Sequence, residues 1–439
     1  MKKHYFLLSV ILLQTFFFLV QLKNHNLYLK DSAEYLTEAA NIADSGTFYA
    51  GSANQEINPA LYTRRPPLYP LFIRFARIFS ASDILVILLQ NILSVLSIML
   101  VRKTALEWGY KRNRDQWALL LLIFTPAQFI YANLVMSEIL FQFILILMIR
   151  YFLRYLADKK GSHLLLYNLF IFIAAAVKPV MYLFVIPNLL FLAWLSVKGK
   201  SVRPVLTALI PLFLVLGYSQ WNTMRSGRFE FSSIQTTNLV NYNTYYFLAK
   251  THGEKYAENT VDSIYAVANK FDSYGERMAY LDHTAMKVIK AEPVKYSWFH
   301  FKGMVRFFLD PGRFDLANFI DPEAYGGRGI LYYLNAEGVK GAVRFLFSDG
   351  VGGMSFFLVF IMLANLLKIG GIALFTLNRK VDIHIRFFLV LLIIYLVFAT
   401  GPLGASRFAV PLIPLVIFMT FTHGNLDVLK AINFRGRNR

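Results

Sequence analysis

Three long stretches of this chain carry one charge each. Residues 116–149 hold only Glu138, residues 164–197 only Lys178, and residues 387–422 only Arg407. A bilayer core is crossed by about 20 apolar residues. Stretches of 34, 34 and 36 residues are therefore too long for one span and right for two short ones. Each predicts a helical hairpin with its lone charge at the tip, near "ANLVMSE", "AAAVKPVMY" and "GPLGASRFAVP". Pro179, Pro402 and Pro411 suit helix ends, because proline starts or stops a helix at little cost. Hydropathy marks about ten spans in all, near 5–22, 84–101, 116–133, 137–153, 164–177, 180–197, 204–221, 351–375, 387–402 and 408–422. The expected fold class is an all-α polytopic membrane protein.

Composition agrees. Of 439 residues 56% are hydrophobic and 16% charged, against about 25% charged in soluble domains. There is no cysteine, so disulfides, thiolate metal sites and Cys nucleophiles are excluded. The opening "MKKHYFLLSV" starts like a signal peptide, but the apolar run 5–22 is too long and lacks a small-residue cleavage site. It reads as a retained first helix.

A net charge of +19 invites a nucleic-acid reading, and its distribution argues against one. With the N-terminus inside, the segments 1–4, 102–115, 150–163, 198–203, 378–386 and 423–439 carry 21 Lys and Arg but only 5 Asp and Glu. That bias places both termini in the cytoplasm and explains most of the charge without nucleic acid. The two long segments, 23–83 and 222–350, then fall on the outer face with the three tips. The chain divides into helices 1–221 with the outer loop 23–83, a large outer region 222–350, and C-terminal helices with a basic tail, 351–439. In the large region "VKYSWFHFKGMVRFFL" suits a helix in the headgroup layer or the core of a small outer domain.

A lone charge can simply mark where a hairpin turns. Three of them, one acidic and two basic, facing charged loops on one side of the membrane, look more like a site. The first loop adds more candidates. Asp31 opens "SAEYLTEAANIADSG", where Tyr35, Ala39 and Ile42 follow helical spacing and Gly46 is a natural stop. An aspartate there also serves as an ordinary cap. Arg64 and Arg65 precede the stiff pair Pro66-Pro67; their forked guanidiniums suit a phosphate, and equally a lipid headgroup.

With "KDSAEY" followed by "RRPPLYPLF", the first loop resembles that of the GT-C membrane glycosyltransferases, closest to protein O-mannosyltransferases and the lipid A aminoarabinose transferase (families 39 and 83). "VMSEILFQFILILMIRYFLR", "QWNTMRSGRFEFSSIQTTNLVNYN" and "SRFAVPLIPLVIF" match in order, with Phe408 where that family has Tyr. The resemblance implies inverting transfer of a sugar from a polyprenyl-phosphate donor to an acceptor protein, glycan or lipid on the extracytoplasmic face of the cell membrane. It implies Asp31 as the catalytic carboxylate, Glu138 as the acid at the third-to-fourth helix tip, and Arg65 at the donor phosphate with Arg64 as helper. Lys178 and Arg407 match less closely. Many relatives carry a second acid beside the first, and here Ser32 stands there.

Residue chemistry fits. A sugar phosphate has a good leaving group, so the site needs fixed cations for the departing charge, Arg65, Arg407 and Lys178, and a base for the attacking hydroxyl, Asp31. Two other readings remain: a transporter or flippase for a lipid-linked sugar, and an O-antigen ligase or polymerase. Neither the eight histidines nor Asp310, Asp315, Asp321 and Glu323 have metal-site spacing. Relatives using monosaccharide carriers generally need no metal, so no metal and no cofactor are expected.

Overall fold

Every described element is helical in a computed structural model that describes residues 4–107, 109–320, 340, 341, 344 and 352–422. Asp321, Glu323 and the basic tail 423–439 lie outside these residues. Among them, α1 (Tyr5–Lys23), α4 (Ile84–Glu107), α7 (Glu138–Asp158), the segment Pro179–Lys198 and α10 (Arg203–Ser226) are long and apolar enough to cross a membrane, as is the segment Phe356–Leu377. Gly161–Val177, Ile383–Ala399 and Ser406–Phe421 are shorter apolar helices. Nine of the ten expected spans coincide with these helices. Their outward faces are apolar, as on α1, where Leu8, Leu12, Phe16 and Leu19 are exposed in one stripe. Such a stripe belongs in lipid.

The tenth expected span, 116–133, is broken. Thr125 and Pro126 separate α5 (Asp115–Ile123) from α6 (Ala127–Ala132), since proline cannot donate to the preceding turn. All six residues of α6 are buried. Glutamine and serine side chains tie this short helix into the bundle. Ser94 donates to Gln14, Gln128 to Ser94, and Gln142 to Gln128 and to the Val410 carbonyl, all within 2.6–2.9 Å. Small polar groups are effective links between helices where lipid offers no alternative partner.

The first outer loop folds over the α6–α7 turn. It contains α2 (Lys30–Ser45), a 3₁₀ turn (Pro59–Tyr62) and α3 (Leu68–Phe79). Gly46 ends α2 with φ +70°, the left-handed cap its position suggests. The buried turn backbone is satisfied from several directions. Gln90 donates to the carbonyls of Ala132 and Leu134, Ser32 to that of Val135, and the Val135 amide bonds to Leu27. These bonds are what such a turn needs once covered.

Behind α8 (Gly161–Val177), a 3₁₀ turn (Pro179–Phe184) leads into α9 (Val185–Lys198). The outer region then runs through α11 (Ile234–Asn238), a π-helical turn (Leu239–Thr244), α12 (Tyr245–His252), α13 (Glu254–Ala268), α14 (Tyr274–Ala291), α15 (Pro293–Leu309) and α16 (Arg313–Ile320). Val240, Val261, Ile264, Leu281 and Ala285 give it a small core of its own. The expected amphipathic helix is α15: Trp298 and Phe301 are exposed, and Gly303 and Phe307 are buried. α17 (Gly352–Leu377), α18 (Ile383–Ala399), α19 (Ser406–Ala409) and α20 (Ile413–Phe421) complete the bundle.

Candidate active site

Asp31 is the second residue of α2, not its cap. The N-terminal position is Leu29, whose amide donates to Ser32 Oγ. Capping thus falls to Ser32, and the Asp31 carboxylate is left for other partners. Arg65 Nη2 donates to Asp31 Oδ1 at 2.9 Å, and Arg407 Nη2 to Asp31 Oδ2 at 2.7 Å. Arg65 Nε reaches back to Glu34, one turn along α2, at 2.6 Å. Arg407 Nε donates to Glu138 Oε1, and Lys178 Nζ reaches the same oxygen at 2.8 Å.

The result is a continuous chain of alternating charge: Glu34, Arg65, Asp31, Arg407, Glu138, Lys178. It joins the first loop, the α6–α7 turn, the α8 end and the start of α19. Within it, Glu138 is fully buried between Arg407 and Lys178. Buried charges of this kind persist only when paired, because desolvation costs several kcal/mol per ion. Burial pushes the Asp31 carboxyl up, but the Arg65 and Arg407 guanidiniums outweigh it and hold Asp31 well below the usual carboxylate range. Arg65 also lies over the Tyr35 ring, 4.7 Å from its centre, and Tyr35 is anchored through Ser137 at 3.1 Å.

The two arginines keep donors in reserve. Each uses Nε and Nη2 within the chain, which leaves Nη1 free of a described partner. Glu138 Oε2 likewise has no hydrogen-bond partner among the described residues. Two guanidinium edges flanking one carboxylate form a place for an anion with two or more oxygens.

Residues 64–221 match the model of the dolichyl-phosphate-mannose-protein mannosyltransferase family. The match supports a membrane glycosyltransferase of the GT-C type. It takes in Arg65, Glu138 and Lys178, while Asp31 and Arg407 lie outside the matched segment. Neither a curated protein nor a solved structure matches the chain.

Five of the six expected site residues meet in this one chain of charges; Arg64 does not. Its Nη1 donates to Thr237 on α11 at 3.2 Å, and its carbonyl accepts from Ser232. The chain bends at this pair, with Arg64 turned to 232–237 and only Arg65 facing Asp31. Arg64 joins the loop to the outer region instead of assisting Arg65. Ser32 is buried against the Val135 carbonyl at 2.9 Å.

Glu34 was not among the expected site residues. Its signal was available: it lies three positions after Asp31 on the same helix face. Tyr131 and Asp315 adjoin this chain of charges, and no spacing links them. Tyr131 OH donates to Asp315 Oδ1 at 2.8 Å across 184 positions of sequence. Among the described residues, no group of three or more His, Asp or Glu side chains converges as a metal ion requires.

Proposed function

We propose that the protein transfers a sugar from a polyprenyl-phosphate donor to an acceptor hydroxyl or amine on the extracytoplasmic face, with inversion at the anomeric carbon. The observation that carries this reading is the double grip of Arg65 and Arg407 on Asp31. It sets a carboxylate between two guanidiniums whose Nη1 groups have no partner among the described residues, so a phosphate held on those edges would lie beside a base.

The steps follow from charge. The donor phosphate takes the free guanidinium edges, and its prenyl chain stays in the bilayer. The bond from anomeric carbon to phosphate oxygen breaks, leaving charge on that oxygen opposite Arg65 and Arg407, with Lys178 adding to the positive field. Asp31 accepts the proton of the attacking acceptor. As the arginines turn part of their charge to phosphate, Asp31 is less strongly held and becomes a better base. Glu138 fixes Arg407 and Lys178 in place. Cations supply the neutralisation here, so the reading calls for no metal and no other cofactor.

Purified enzyme with labelled polyprenyl-phosphate sugars tests this. Wild type should transfer label, and Asp31→Asn should reduce kcat by roughly 10²–10⁴. Equal turnover by the two removes Asp31 from the chemistry. Movement of intact lipid-linked sugar across vesicles, with no cleavage, favours a transporter instead.

A further inference from the structure

Arg407 lies at the start of α19, directly after the short loop 401–405 that packs on α15, and this segment decides where the guanidinium points. Asp310 directly follows α15, and its Oδ2 accepts the Ser406 amide at 2.7 Å, while its Oδ1 accepts the Gly312 amide at 3.1 Å. Asp315, in the first turn of α16, accepts from Ser406 Oγ on one oxygen and from Tyr131 OH on the other. Both aspartates thus fasten the residue immediately before Arg407. Asn365 of α17 donates to the Asp310 carbonyl at 3.2 Å, so the clamp is itself tied down.

The packing leaves this loop little freedom. Gly404, at φ +51°, lies so close to Gly303 of α15 that a Cβ there would collide with the Gly303 carbonyl. Gly312, at φ +69°, approaches the Ser406 side chain, and a Cβ would meet Ser406 Oγ at 3.1 Å. A bulky residue at either place would push the loop away.

We infer that Asp310 and Asp315 are positioning residues that hold Ser406, and through it Arg407, against Asp31 and Glu138. Neither aspartate touches the proposed reacting atoms. Their effect on transfer rests on the sugar-transfer reading above; their effect on the loop does not. Asp315 is buried, which pushes its carboxyl up to about 6 against the pull of Ser406 and Tyr131. A carboxyl kept there at that cost is consistent with a demand for an acceptor at this spot.

Two measurements test the inference on the full-length protein in detergent. Hydrogen–deuterium exchange over residues 401–410 should rise in Asp315→Asn, Asp310→Asn and Ser406→Ala, and stay near wild type in Ser406→Thr, which keeps the hydroxyl. With labelled donor, the folded fraction of Asp315→Asn and Ser406→Ala should lose about 10- to 100-fold in kcat and show a raised donor KM, since small misplacements near the chemistry carry penalties of that size. Ser406→Thr should recover most of both. Unchanged exchange, or wild-type kcat and KM in the folded fraction, would overturn the inference. Wild-type inactivity with every polyprenyl-phosphate sugar sinks the transfer reading alone, and the exchange measurement then decides the positioning by itself.

Discussion

Arg407 follows Asp31 by 376 positions, yet its Nη2 donates to Asp31 Oδ2 at 2.7 Å. The same guanidinium bonds to Glu138, 269 positions before it. One arginine near the C-terminal end of the bundle therefore joins the two acids on which the reading of this protein depends.

Glu138 should be held mainly by its two cations. With Glu138→Gln, Arg407 and Lys178 become close like charges with no buried anion between them. The expected destabilisation is about 3–5 kcal/mol. Adding Lys178→Met should recover part of it, read as a partial return of Tm in detergent. A double variant no more stable than Glu138→Gln alone would show that the Lys178 pairing is not what balances this charge.

Arg65→Ala should weaken donor use with the fold kept. A hydrogen bond to a charged group contributes about 1.5–3 kcal/mol, which corresponds to roughly 10- to 100-fold in kcat/KM. Arg64→Ala should leave donor KM unchanged, because Arg64 faces Thr237. Kinetics with varied donor distinguish the two; equal effects would return Arg64 to the site.

Two carboxyls of α2 should give opposite responses to pH. Asp31 is pushed up by burial but held lower overall by Arg65 and Arg407. Its stabilisation is complete above the unfolded value near 3.8 and is lost as pH falls toward the folded value. Glu38 is raised well above 4.5 by burial, with Arg225 and Arg65 only partly opposing. The folded state keeps that proton while the unfolded state releases it, so this contribution falls as pH rises from 4.5 toward the folded value. Asp31→Asn should blunt the acid loss of Tm, and Glu38→Gln should remove the loss on raising pH. A parallel pH response in both variants contradicts the assignment.

Ser32 follows Asp31 directly, and an acid in its place should not be tolerated. Ser32→Asp places a carboxylate against the Val135 carbonyl in a buried position. Destabilisation should exceed that of Ser32→Ala, expected at about 2 kcal/mol for the two hydrogen bonds lost with Leu29 and Val135. A Ser32→Asp enzyme as stable as wild type would mean the loop can re-seat itself.

Chelation should be without effect. If Arg65, Arg407 and Lys178 neutralise the leaving phosphate, transfer assayed after EDTA treatment should match the untreated enzyme. Loss of activity restored by a divalent cation would replace that account.

The hairpins were legible in the chain because lipid requires long apolar runs, and a charge interrupts such a run at low cost only near its end. The α2 helix was legible from Tyr35, Ala39 and Gly46 for a related reason: local spacing and a left-handed stop depend on neighbours in sequence. The chain gave six charged candidates but not their connections. Which of Arg64 and Arg65 turns inward is set by residues 230–237, which bind Ala60, Thr63 and Arg64 and draw Arg64 away from Asp31.

Hydrophobic periodicity thus determined the membrane class, most span positions and the places where charge is permitted, because each reflects the solvent around a single helix. Tertiary structure alone decided that Arg407 joins Asp31 to Glu138, and that Asp310 and Asp315 secure the segment carrying Arg407. Partners separated by 91 to 376 positions have no shared period or spacing to betray them. They meet only when the outer region closes over the bundle and satisfies groups that would otherwise be buried unpaired.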